Sequence, residues 1–226
     1  MDTLGDDILL LAIDPKRGRV RNAHLVKYGL MGAELIRLVA SELVVIRDGR
    51  LIVAGPVAAP GDAQLEAALA SVASARKPPR PKSFASRPRR GIVTGYLDRL
   101  AAAGKIQRSS GARARWSVVD QEALASARSR LDAIATGTGQ VELEQAAYGG
   151  IVHAVQLDRP LYPGWKNRAV RKRMREIARG KWTAPAADLA GPVDAAVSAA
   201  THAAIAAAID AAVYAATAAA AAASSG

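Results

Sequence analysis

Two helix–hairpin units in the first half of the chain constrain its fold more than any other feature. In the first, apolar residues recur at helical spacing over 25–39, and two apolar runs, 43–47 and 50–53, then flank Asp48-Gly49. Asp-Gly between apolar runs is a hairpin signal, because the two-residue turn that matches strand twist needs positive φ at both positions. The second unit repeats this order: a helix pattern over 92–100, a break at Gly104, a strand over 105–108, the turn Ser109-Ser110-Gly111 and a strand over 112–119. Such units suit surface recognition of an anionic partner, either nucleic acid or a lipid headgroup. The formal net charge of +11 keeps both open.

Aromatic residues make up only 4% of the 226 residues, with a single Phe, so Ala, Leu and Val must fill the interior. Small side chains suit closely packed helices, and the expected fold class is mainly α: a compact helical domain around a helical core, with two small β-hairpins. The chain has no Cys, which excludes disulfides, thiolate catalysis and zinc–cysteine sites. The acidic start, Asp2 to Asp7, lacks the basic opening of a secretory leader, and the apolar run 8–13 is too short to span a bilayer. Ala- and Arg-rich usage points to a high-GC bacterial source.

Asn22 is placed to cap the first long helix. Helical spacing puts Leu25, Tyr28, Gly29, Gly32, Leu35, Ile36 and Val39 on one face, with Lys27, Met31 and Glu34 on the other. Gly29 and Gly32 imply close approach of a neighbouring element. Asp62 is placed to cap a helix with Leu65, Leu69 and Val72 inward. Residues 76–90 carry seven cations, no acid and four prolines, the pattern of a basic, extended and mobile loop. Helix patterns follow over 122–134, 141–157 and 165–182, and an Ala-rich C-terminal helix over 193–223, with a frayed end at 224–226. One domain, 1–223, accounts for all of them.

Within 165–182, Arg168, Arg171, Lys172, Arg175 and Arg179 share one face, while Val170, Met174 and Ile177 line the other, bracketed by Trp165 and Trp182. The apolar stripe is expected to pack on the core, with the basic side near a membrane. His24, His153 and His202 stand far apart, without metal-ligand spacing. Asp6 and Asp7 read as a helix start, not an acid–base pair. No nucleophile elbow, dinucleotide fingerprint or phosphate loop occurs. The expectation is a non-catalytic protein with no cofactor and no metal.

Taken in order, these segments resemble the Golgi phosphoprotein 3 family. Asp6-Asp7-Ile8-Leu9-Leu10-Leu11 is similar to that family's opening, and Gly29-Leu30-Met31-Gly32 resembles its Gly-Leu-x-Gly helix. Pro60-Gly61-Asp62 followed by Leu65 and Leu69 resembles its Thr-Gly-Asp helix start, and Tyr96, Leu100 and Gly104-Lys105-Ile106 resemble its turn into the second hairpin. The resemblance implies a peripheral membrane protein that binds phosphatidylinositol 4-phosphate and, in eukaryotes, retains glycosyltransferases in the Golgi. The family's headgroup Trp and three Arg fall on Asn22, Met31, Arg90 and Val93, so Arg90 alone is retained, with Arg89 beside it as a substitute.

These departures predict binding that follows total charge more than headgroup identity. Arg90 and Arg89 are the expected phosphate contacts, supported by Arg87 and Lys82. Reversing Arg89 and Arg90 to Glu is expected to abolish membrane association and leave the thermal midpoint nearly unchanged. The expected function is a cytoplasmic protein, peripheral to an anionic phospholipid membrane, acting as a binding protein or adaptor for a partner the residues do not name. In the second hairpin, alternation puts Trp116 and Val118 on one face and Val119 on the other, too little for a permanent interface. A monomer in solution that dimerises only on a membrane follows. The rival reading is a winged-helix-like nucleic-acid-binding protein, with Arg108, Arg113 and Arg115 on the wing. A helix over 92–104 offers few donors for base readout (Thr94, Asp98 and Arg99), so nucleic acid is the less favoured partner.

Overall fold

The protein is described by a computed structural model covering residues 3–55, 61–110, 115–137 and 141–179. Among the described residues it is mainly α, with nine helices, a short 3₁₀ turn and two separate two-stranded antiparallel hairpins. Helix α1 (Leu4–Ala12) opens on a capping box: the Asp6 N–H donates to Thr3 Oγ1, and the Thr3 N–H donates to Asp6 Oδ2 at 3.0 Å. Two otherwise orphaned donors are thereby satisfied. All nine residues of α1 are buried, so the apolar run as far as Ala12 and the acids before it form one internal helix.

Helix α2 (Ala23–Ala40) is the centre of the molecule. It packs against α1, α3 (Ala63–Ala73), α4 (Pro81–Ala85), α5 (Ile92–Ala102) and α7 (Leu143–Ala154). From Gly29 to Ile36 every residue is buried, so this stretch has no solvent face. The sequence reading that set Met31 and Glu34 with Lys27 on a face apart from the apolar one is corrected: they are buried with it, 1% and 0% exposed. Gly29 does serve close approach. A Cβ there would lie 2.8 Å from Val155 Cγ1 and 2.9 Å from Ile151 Cγ2. Asn22 occupies the N-cap position but does not cap. Its backbone is left-handed (φ 47°), and its Nδ2 donates to the Val155 and Gln156 carbonyls, each at 3.2 Å.

Strands β1 (Val44–Arg47) and β2 (Arg50–Val53) pair as the Asp48-Gly49 signal requires, with φ 49° and 69° at the two turn positions. Asp62 caps α3, accepting from the Gln64 and Leu65 N–H groups. Part of segment 76–90 departs from the extended loop that its composition indicates. Pro81 starts α4, a favoured place because a first-turn residue needs no N–H, and Pro81, Phe84 and Ala85 are buried against the core. The single Phe of the chain is the anchor. The Leu51 N–H donates to the Pro79 carbonyl at 2.8 Å, tying the segment to β2.

The second hairpin pairs β3 (Ile106–Arg108) with β4 (Trp116–Val118), Ile106 opposite Val118. Trp116 and Val118 are half-buried and Val119 is exposed, as alternation requires. Helix α6 (Gln121–Thr136) is followed by α7, the short α8 (Asp158–Leu161), a 3₁₀ turn (Trp165–Asn167) and α9 (Arg168–Ala178). Helix α9 lays Met174 and Ile177, both buried, against α6 and α7 and leaves Arg168, Lys172 and Arg175 exposed, while the half-buried Arg171 donates back to the Tyr162 and Gly164 carbonyls. The tip of the second hairpin, including Arg113, Trp182, the Ala-rich helix and the terminal residues all lie outside the described residues. No described helix is long and apolar enough to cross a membrane.

Candidate functional site

The arginines at the start of α5 divide between two roles. Arg89 turns inward and forks onto Glu34, with Nη2 2.6 Å from Oε1 and Nη1 on Oε2. Nη1 also lies 3.8 Å from Met31 Sδ, and Nη2 donates to the Gln64 carbonyl at 3.4 Å. The Glu34 side chain is 0% exposed and that of Arg89 18%. Burial pushes the Glu34 carboxyl above its ordinary pKa, and the Arg89 charge only partly offsets this. The fork spends the geometry that a phosphate would use.

Arg90, the next residue, is exposed, and so is Arg87. Neither has a side-chain partner among the described residues. Gly91, at φ 77°, turns the chain into α5, which starts without a side-chain cap; the Ile92 N–H donates to the Arg89 carbonyl at 3.2 Å, and the positive end of the helix dipole lies beside Arg90. Lys82 lies exposed on α4. Val93 is half-buried against the core, Met31 is beneath Arg89, and Asn22 is nine residues back along α2, about 13 Å by helical rise. The structure therefore gathers Met31 and Arg89, sets Arg90 and Arg87 at the surface, and leaves Asn22 at the far end of α2.

A cleft of about 700 Å³ lies between α3 and α5. Its polar side chains already hold one another. Arg99 meets Asp6 Oδ1 at 2.5 Å, Asp62 Oδ2 at 2.6 Å and Thr3 Oγ1 at 2.6 Å, while Arg37 reaches Asp62 at 2.9 Å. Asp6 and Asp7 are the helix start that the sequence indicates, each paired with an arginine: Asp6 with Arg99, Asp7 with Arg130 at 2.5 Å.

The sequence model of the Golgi phosphoprotein 3 family matches residues 4–192. The chain belongs to that family. Among curated proteins, none matches it. The match spans the described residues almost entirely, so the Golgi phosphoprotein 3 domain here includes α1, both hairpins and α9. Within this member, sequence reasoning missed Glu34 as the partner of Arg89. The available signal was an acid set inside an apolar run, at Ala33-Glu34-Leu35-Ile36. A buried acid in such a run requires a cation from elsewhere in the chain.

Proposed function

We propose that this protein is a non-catalytic, cytoplasmic peripheral membrane protein that docks on anionic phospholipid surfaces, as a binding protein or adaptor. The observation that carries the reading is the exposed pair Arg87 and Arg90 beside the uncapped start of α5. The outward basic side of α9 and Trp165, 81% exposed at its amino end, support the same orientation, since Trp favours the membrane interface. Replacement of the family's headgroup positions by Asn22, Met31 and Val93 favours attraction by total charge over recognition of phosphatidylinositol 4-phosphate.

Co-sedimentation with vesicles tests it. The R87E/R90E variant should bind phosphatidylserine vesicles at least tenfold more weakly, because each basic residue near such a surface contributes about 1 kcal/mol. Its thermal midpoint should stay within a few degrees of the parent, since exposed charges add little stability. Binding should also fall steeply between low and moderate salt. Unchanged binding in R87E/R90E, or strong preference for phosphatidylinositol 4-phosphate over charge-matched phosphatidylserine, refutes this form of the reading. Duplex DNA that displaces vesicles at equal charge would favour the winged-helix alternative.

Self-association follows from the second hairpin. Trp116 and Val118 are partly covered by the domain, and Val119, 53% exposed, is the large apolar group that β4's end leaves open. Arg108 stacks over Trp116 at 5.8 Å and would face its own copy in a two-fold contact. Sedimentation velocity at micromolar concentration and moderate salt should show a monomer, with dimers confined to membranes. A stable dimer in free solution would defeat this expectation.

A further inference from the structure

A cleft of about 490 Å³ lies at the amino end of α2, between the turn over residues 14–19 and the turn that joins α7 to α8. Arg17, Arg19 and Arg21 line one wall, and Arg159 lines the other, with Asn22 and Gln156 between them. Asp14 is the one acid in the lining. Its carboxylate accepts from the Lys16 N–H at 2.8 Å, the Arg17 N–H at 3.0 Å and Arg21 Nε at 3.2 Å. Asp14 is thus matched to Arg21 and to backbone donors. The guanidinium groups of Arg17, Arg19 and Arg159 have no partner among the described residues.

Both walls are fixed. The turn closes on itself through the Gly18 N–H to the Asp14 carbonyl and the Asp14 N–H to the Arg19 carbonyl, each 2.8 Å. It is also pressed onto the second hairpin. The Trp116 N–H donates to the Gly18 carbonyl at 2.8 Å, and a Cβ at Gly18 would lie 2.5 Å from Arg115 Cβ. On the far side, Gln156 holds a left-handed backbone (φ 59°), and the Asn22 amide clips that turn to the start of α2. Because Asn22 turns its side chain away, α2 opens at the cleft without a side-chain cap. The amino end of an 18-residue helix adds positive potential to that of the arginines. Like charges held together on a rigid frame repel one another, and an anion between them removes the repulsion.

We propose that this cleft is a phosphate-binding site that takes a phosphomonoester dianion, with Arg17, Arg19 and Arg159 as its ligands. Arginine is suited to the role because its planar fork meets two phosphate oxygens at once, and donors from both walls can enclose the group. The volume admits the phosphate with a small polar body attached. The site shares no arginine with the surface formed by Arg87 and Arg90, so it stands whether or not that surface docks on membranes. The same group occurs on free phosphate esters and on lipids such as phosphatidic acid.

Titration calorimetry with inorganic phosphate, at low chloride and neutral pH, tests the site directly. The full chain should bind phosphate, and R17A/R19A/R159A should bind it at least tenfold more weakly. R87E/R90E should retain the parent affinity. The single variant R159E, which reverses one exposed charge, should lose binding as well, and thermal melts of both cleft variants should match the parent. Vesicles with phosphatidic acid, set against charge-matched phosphatidylserine, identify the source. A preference for phosphatidic acid that disappears in the cleft variant assigns the site to a lipid. Equal partition alongside intact phosphate binding assigns it to a soluble ester. If the parent chain does not bind phosphate, or if the triple variant binds it within twofold of the parent, the site does not exist. Loss of vesicle binding in R87E/R90E alone would then leave the membrane reading standing without it.

Discussion

Arg89→Ala destabilises the fold by about 3–5 kcal/mol at pH 8, the cost of leaving a buried charge without its partner. The sequence reading, which treated Arg89 as an exposed charge, gave no such effect. The difference lies in Glu34, which is wholly enclosed and receives both arms of the guanidinium. Burial raises the Glu34 pKa even with Arg89 present. A carboxyl whose folded pKa is raised binds more protons in the native state than in the unfolded chain, so stability falls as pH climbs above the unfolded value of about 4.3. Removing Arg89 deletes an effect that holds the pKa down. The deficit of the variant should therefore shrink as pH is lowered from 8 toward 5. Urea unfolding at the two pH values measures it. The E34L/R89M double variant should recover most of the loss, because an apolar pair of similar volume is not penalised by burial. A single R89A variant within 1 kcal/mol of the parent at pH 8 would show that the pair does not hold the core together.

Arg99→Ala should cost about 3 kcal/mol, by a different route and in a lower pH window, set by Asp62 instead of Glu34. Arg99 joins three helices: it reaches Asp6 in the capping box of α1 and Asp62 at the cap of α3, and it lies over the Tyr96 ring of its own helix at 4.8 Å. Burial works against the Asp62 carboxylate, but the Leu65 N–H and the charges of Arg99 and Arg37 outweigh it and hold its pKa below the ordinary value. A depressed folded pKa contributes stability that is present above the unfolded value, about 3.9, and is lost as pH falls through the folded one. Without Arg99 that contribution shrinks, so acid unfolding of R99A should begin at higher pH than in the parent. Arg99→Lys should recover only part of the loss, since one ammonium cannot fork between two carboxylates. An acid transition that does not move would mean that Asp62 is held by its backbone bonds alone.

How far these features were legible depended on whether their cause was local. The first hairpin was readable because Asp48-Gly49 encodes its own turn, and α3 because Asp62 precedes an apolar repeat. The burial of the middle of α2 on every side was not readable. Periodicity separates faces only when one of them meets water, and from Gly29 to Ile36 every residue is buried. Arg89 and Arg90 are identical neighbours in the sequence. What separates them is Glu34, 55 residues away, and no pattern near Arg89 points there. In segment 76–90, seven cations masked one Phe, although Pro81 ahead of Phe84 was a usable helix-start signal. The cleft at Arg17, Arg19 and Arg159 draws on two turns some 140 residues apart, a juxtaposition that only packing creates.

The inward turn of Arg89 also bears on how quickly a ligand could be met. A charged surface on a floppy segment must be ordered as it binds, and the entropy lost slows or weakens capture. Here the peptide that carries Arg90 outward is anchored one residue earlier in the core, and α4 is docked by Phe84 just before it. Arg90 is thus presented ready-made. Its encounters with an anionic surface should be governed by long-range attraction and diffusion, with ionic strength acting mainly on the rate of arrival.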